Sequence, residues 1–165
     1  AGTIFQWTAG LSRRFRKSSS TCVKRTKPVH YAATIDLVLQ RKYILFIALG
    51  GASGTVSRYL LAHWVHGLWE GKLPMGTLLV NALGSFTIGI VYVMLVERQL
   101  IHADWRGVLM VGFLGAFTTF STFSLETINL FEAGHSIHAL LYMFGSAFLC
   151  VVMAGLTMHL TRVLI

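Results

Sequence analysis

The sequence predicts an all-α integral membrane protein with four transmembrane helices per subunit, and three observations predict it. Apolar residues make up 55% of the 165-residue chain and mean hydropathy is +0.66. Lys and Arg number 14 against 6 Asp and Glu, too few charges to cover a soluble domain of this size. Four apolar stretches, at about 43–64, 74–96, 106–131 and 136–163, each reach the roughly 20 residues needed to cross a hydrocarbon core about 30 Å thick. The segments between them carry turn and charge signals that belong at an interface. Trp64 to Pro74 holds Glu70 and Lys72, Glu97 to Arg106 holds Asp104 and Trp105, and Glu132 to His135 surrounds Gly134. The four-helix unit, 43–165, occurs once and shows no internal repeat.

Residues 1–42 read differently. Arg13, Arg14, Arg16, Lys17, Lys24, Arg25 and Lys27 crowd a Ser/Thr-rich stretch with Asp36 as its single acid. This polar, basic leader is expected to be disordered or absent from the mature protein, as an organelle transit peptide, a fragment boundary or translation from upstream of the start. The net charge of +8 does not point to nucleic acid, because the basic residues concentrate in the leader and in short connections rather than along a stripe with exposed aromatics. Cys22 and Cys150 lie far apart, one in the leader and one in an apolar run, which fits neither a disulfide framework nor a metal-binding spacing.

The first span carries Gly50, Gly51, Ser53, Gly54 and Ser57 as a small-residue face, followed by Arg58. That arginine either snorkels to the interface or gathers anions at a pore mouth, where low-dielectric walls focus its field. In the second span Thr77, Asn81 and Ser85 recur at four-residue spacing with Gly84 beside them, which stacks them in a narrow arc. Polar groups at membrane depth mark either a pathway or a helix contact, and the amide of Asn81 is the costliest of these to bury. The third span reads GFLGAFTTFSTFSLE from Gly112 to Glu126. Glycine and β-branched Thr weaken a helix locally, and a break at this depth is tolerated only where freed carbonyls are buried in protein or satisfied by an ion or water. Glu126 follows on the next turn, as either a pore group or the acceptor of a buried hydrogen bond from a neighbouring hydroxyl. The fourth span has a weaker stripe of Tyr142, Ser146, Cys150 and Thr157.

Three motifs in series, GGASGTVSRY (Gly50 to Tyr59), PMGTLLVNALGSF (Pro74 to Phe86) and GFLGAFTTFSTFSLE, make residues 43–165 resemble the Fluc (CrcB) family of fluoride channels. The resemblance implies a dual-topology-type antiparallel homodimer, or a heterodimer with a paralogous partner, in which the third helix breaks at mid-membrane. It implies two narrow fluoride pores and a central structural Na⁺ held by the backbone carbonyls of Gly115 and Thr118. Phe120 and Phe123 match the pore phenylalanines, Asn81 the amide beside them, and Thr77, Ser121 and Thr122 the nearby hydroxyls. Tyr142 matches a fourth-helix pore residue, while Arg58 and Glu126 match the family's vestibule arginine and pore-associated glutamate. Ala116 and Phe117 depart from the Gly and Leu that relatives often carry. The function implied is passive export of fluoride across the cell membrane, or across an organelle membrane if the leader is a transit peptide.

Charge counting sets Arg41, Lys42, Arg98, Arg106 and Arg162 on one side against Lys72 on the other, favouring cytoplasmic termini. This bias runs against insertion in both orientations, which a paralogous partner of opposite orientation would resolve. Two rival readings are a four-helix proton-coupled multidrug transporter, which would need a carboxylate in the first helix where this chain has Arg58, and a non-transporting membrane subunit. An enzyme is not expected, since the histidines sit in the leader or near helix ends and no His–carboxylate or Cys–His pair has nucleophile spacing within a span.

Overall fold

The computed structural model describes residues 29–69, 71–102 and 105–165. The chain divides into two units, Ala1–Leu37 and Val38–Ile165, and the second carries the features below. The leader expected over 1–42 lies outside the described residues as far as residue 28, and helix α1 already begins at Val29.

Helix α1 covers Val29–Leu68. Helix α2 covers Met75–Tyr92 and continues as a π-helical turn over Val93–Glu97. Helix α3 joins a π-helical stretch, Gly107–Leu114, to a single α-helical turn, Gly115–Phe117. Helices α4, Phe120–Glu132, and α5, Ser136–Leu164, follow. Among the described residues, four stretches are long and apolar enough to cross a membrane: Arg41–Leu68, Met75–Glu97, Gly107–Glu132 and Ser136–Leu164. They contain the four predicted spans to within a residue at each start, and the third is the one built from two helices, α3 and α4.

Without water between them, helices in a bilayer associate through close packing, and small residues let backbones approach. The Gly50 to Gly54 face of α1 does this against α3. A Cβ on Gly54 would strike the Phe113 carbonyl, and one on Gly112 would come within 2.7 Å of the Ile47 carbonyl. The hydroxyls of Ser53 and Thr55 are spent on α1 itself, donating to the Gly50 and Gly51 carbonyls at 2.8 and 2.9 Å. The GxxxG face is thus a seat for α3.

Helix α2 sits at the centre, with Val80 and Val93 fully buried. Leu130, Ala139 and Tyr142 form a core cluster with Leu73, Leu78 and Phe123 packed on it, joining α2, α4 and α5. The turn from α4 to α5 is a Schellman closure: Gly134 N–H donates to Phe131 O at 3.0 Å and His135 N–H to Leu130 O at 2.9 Å. The residue between needs a left-handed backbone, and Gly134 has φ of 77°. At the other ends of α2 and α5, Arg162 grips Glu97 through both oxygens, at 2.9 and 2.5 Å. Arg98 donates to the Arg162 carbonyl at 3.2 Å, so these charges, expected on one side, meet there.

Large apolar side chains line the outside of α1 and α5, among them Leu45, Leu49, Phe148 and Val151. In hydrocarbon this arrangement costs nothing, whereas in water it would not persist.

The glycine seat gives a test with opposite signs. Gly54→Ala forces α1 and α3 apart and lowers the thermal unfolding midpoint of the detergent-solubilised protein. Gly155→Ala, where a Cβ meets nothing within 4 Å, leaves it unchanged or raises it, by up to about 1 kcal/mol in stability.

Candidate functional site

The third span breaks at two residues. Thr118 (φ −79°, ψ 155°) and Thr119 (φ −146°, ψ 120°) are extended, between the single turn that ends α3 and the start of α4. Threonine hydroxyls compete with the helical ladder, and here they terminate one helix and open the next. The Thr118 hydroxyl donates to Leu114 O at 3.0 Å. The Thr119 hydroxyl oxygen accepts from Thr122 N–H at 3.3 Å as the N-cap of α4, and its proton goes to the Thr122 hydroxyl at 3.0 Å.

Asn81 holds the break from α2. Its Nδ2 donates to Thr119 O at 3.0 Å, and its Oδ1 accepts from Thr119 N–H at 2.8 Å. One side-chain amide therefore pairs with both backbone groups of one residue, as a neighbouring strand would. This pairing changes the ladder. A continuous helix would give Thr119 N–H to the Gly115 carbonyl and Thr122 N–H to the Thr118 carbonyl. Those two donors go instead to Asn81 Oδ1 and Thr119 Oγ1. The carbonyls of Gly115 and Thr118 lose their helical partners, and so do the N–H groups of Phe120 and Ser121 in the first turn of α4.

Beside the break lies a groove of about 370 Å³. Asn81, Gly84, Ser85 and Ile88 of α2 form one wall, and Gly115, Thr118, Thr119, Phe120 and Phe123 another. Ser146, Ala147 and Cys150 of α5 form the third. Gly84 permits the approach of α2 to the break, since a Cβ there would collide with the Thr118 methyl. The Phe120 ring is 79% exposed and tilts against Phe123 with centroids 5.5 Å apart. Phe123 in turn meets Tyr142 at 5.3 Å. The Ser146 hydroxyl is buried without a hydrogen-bond partner.

Tyr142 leads from the groove to Glu126. The Tyr142 hydroxyl donates to Glu126 Oε2 at 2.7 Å, and the Thr77 hydroxyl donates to Oε1 at 2.8 Å. Two charge-assisted bonds compensate the carboxylate for lost water. Glu126 also lines a second pocket, of about 220 Å³, together with His66, Lys72 and Asn129. Polar groups thus run from the groove past the Phe123–Tyr142 contact to a pocket at the α1–α2 connection.

Among the residues read from sequence, Asn81, Phe120, Phe123, Gly115 and Thr118 gather at the groove, and Thr77, Glu126 and Tyr142 form the adjoining cluster. Thr122 serves the cap of α4, Ser121 is exposed beside it, and Arg58 lies half-buried on α1 outside the groove lining. Thr119 was missed. Its signal was present, a threonine after an expected break and three residues before Thr122, at the position an N-cap prefers.

The sequence matches the family described as CrcB-like protein, Camphor Resistance (CrcB), over residues 45–158. It is 44% identical over 123 residues to the fluoride-specific ion channel FluC of Hahella chejuensis, covering 74% of this chain and 97% of that one. The FluC of Magnetococcus marinus is 46% identical over 122 residues, covering 73% and 98%. That of Coxiella burnetii is 42% identical over 120 residues, covering 72% and 97%. The family match reaches into all four apolar helices and includes every site residue above, and the chain is a multi-pass membrane protein that belongs to the CrcB family.

Proposed function

We propose that this chain is a fluoride-selective channel that lowers cytoplasmic fluoride by passive export through the cell membrane, without making or breaking a bond. The broken third span carries the proposal. A helix interrupted at membrane depth is expensive, and it is kept where it lines a path for an ion.

Fluoride is small and strongly hydrated, so a pore must replace its water with donors and still let it leave. The groove has unspent donors within one region: the second Nδ2 proton of Asn81, the Ser146 hydroxyl, and the N–H groups at the start of α4, whose dipole favours an anion. The edges of Phe120 and Phe123 add the positive rim of the ring quadrupole, which attracts weakly enough for release. Beyond Phe123 the path continues to the hydroxyls of Thr77 and Tyr142, where Glu126 competes for them. Ser121 and Thr122 contribute hydroxyls at the head of α4, and Arg58 concentrates anions at a mouth.

Polar groups such as Asn81 and Thr119 in a groove open on one side of a subunit are costly against lipid, which supports closure by a second copy in antiparallel orientation. A paralogous partner of opposite orientation would serve equally. The Gly115 and Thr118 carbonyls suit a hard cation such as Na⁺ at the dimer centre, because their helical donors are diverted and oxygen ligands are what such a cation takes. These carbonyls would hold the ion, and it would offset their partial negative charge.

The deciding experiment is fluoride efflux from liposomes holding the full chain, read with a fluoride-selective electrode and with chloride as competitor. Fast efflux of fluoride and not chloride supports the proposal, and a folded, dimeric protein that releases no fluoride overturns it. Phe120→Ile cuts efflux at least about tenfold while leaving the unfolding midpoint in detergent unchanged, because Phe120 is 79% exposed in the subunit.

Asn81→Ala behaves differently. It strands both backbone groups of Thr119, so efflux falls and stability drops by about 1–3 kcal/mol, measured by thermal unfolding. Replacing Na⁺ by N-methylglucamine throughout purification lowers the dimer fraction seen by glutaraldehyde crosslinking. An unchanged dimer fraction removes sodium from the proposal while leaving the pore intact.

A further inference from the structure

We propose that Cys150 is a modification site in the wall of the groove, reactive toward small water-borne thiol reagents, and that an adduct there blocks conduction. The blocking part rests on the proposed function, while the reactivity does not.

A cysteine in a membrane-spanning helix is ordinarily inert, because the thiolate that reacts does not form in hydrocarbon. Two observations place Cys150 outside that rule. It lines the groove and is partly exposed there. One turn earlier on the same face of α5, Ser146 lines the same groove with a buried hydroxyl that has no partner. Three threonine hydroxyls on α4 and α5 are instead spent on the preceding turn. Thr127 donates to Phe123 O at 2.8 Å, Thr157 to Met153 O at 2.8 Å and Thr161 to Thr157 O at 2.7 Å.

Buried polar groups find partners, and where protein supplies none, ordered water does. Asn81, Ser85 and Thr119 set further polar groups among the apolar side chains of its walls, and the groove is large enough for several waters. Ser146 stands within a helical turn of the Cys150 sulfur, so water that satisfies its hydroxyl brings a water-borne reagent to the thiol. A methanethiosulfonate then reacts as thiolates do. The sulfur attacks the sulfenyl sulfur of the reagent, a mixed disulfide forms, methanesulfinate leaves with the bonding pair, and the thiol proton passes to water. The attached group occupies space in the section between Ser146 and Phe120.

The test uses the full chain bearing Cys22→Ser, reconstituted in liposomes with a trimethylammonium-ethyl methanethiosulfonate on both sides. Intact mass gives adduct formation, and a fluoride electrode gives efflux. The expected result is one adduct, efflux reduced at least about tenfold and restored by dithiothreitol, with Cys22→Ser/Cys150→Ser showing neither change. If the folded protein takes no adduct although the same protein does after unfolding in detergent, the groove is dry at this depth and the site is overturned. An adduct without loss of efflux overturns the block. A protein that releases no fluoride before treatment refutes the channel reading, while the mass measurement still decides the site.

Discussion

The structure turns on a side chain standing in for a missing stretch of backbone. In hydrocarbon no solvent satisfies a stray N–H or carbonyl, so a span that stops being helical must find each released group a partner within the protein. The third span stops at Thr118 and Thr119, and Asn81 meets Thr119 with donor and acceptor together, at 3.0 and 2.8 Å. Much of the surrounding sequence serves that contact. Gly84 lets α2 come close enough, the hydroxyl of Thr119 caps the helix that restarts, and the Gly54 and Gly112 crossing seats α3 against α1. Diverting the donors of Gly115 and Thr118 is a consequence of the same contact, so the break and the freed carbonyls are one feature.

The division between holding the fold and facing the path follows from burial. Asn81 commits one donor and its acceptor to Thr119 and keeps a single proton for the groove. Phe120 stands outside the subunit core, and nothing in the fold requires a phenyl ring there. Glu126 lies between these extremes: the hydroxyls that secure it, Thr77 and Tyr142, are donors that an anion would also seek. In the pore we propose, a carboxylate so placed would keep those hydroxyls oriented when no anion is near and compete with one that arrives, which would limit how tightly an anion is held.

Much of this was legible in the sequence because each signal is local. Four apolar runs of spanning length follow from bilayer thickness, and the observed spans start within a residue of the predicted ones at 74, 106 and 136 and two residues early at 43. The spacing of Thr77, Asn81 and Ser85 put them on one arc of α2. The cost of an amide in hydrocarbon marked Asn81 as a residue with a task, and Gly115 with the paired threonines marked the break. Pairings across the chain were not legible. That Asn81 meets Thr119, 38 positions away, or that Thr77 meets Glu126, is fixed by how the helices cross and not by any spacing. Ser146 shows the limit well, since its place in a weak stripe on α5 left packing and pathway equally open, and only its unpartnered hydroxyl separates it from Thr157.

Ala116 and Phe117 stood out against the family pattern because a bulkier loop could have closed the groove or altered the break. Phe117 is turned into the subunit, 9% exposed, with its ring stacked 5.8 Å from Phe113. Its edge would come within 3.4 Å of a Cβ on Gly84, so the missing side chain on α2 makes room for the larger ring. Ala116 lies toward α1, its Cβ 4.0 Å from where one on Gly51 would be. Neither residue lines the groove. The freed carbonyls depend on the Asn81 and Thr119 contacts, which these side chains leave intact, so the added bulk strengthens the inner packing of α3 and leaves the groove side of the break unchanged.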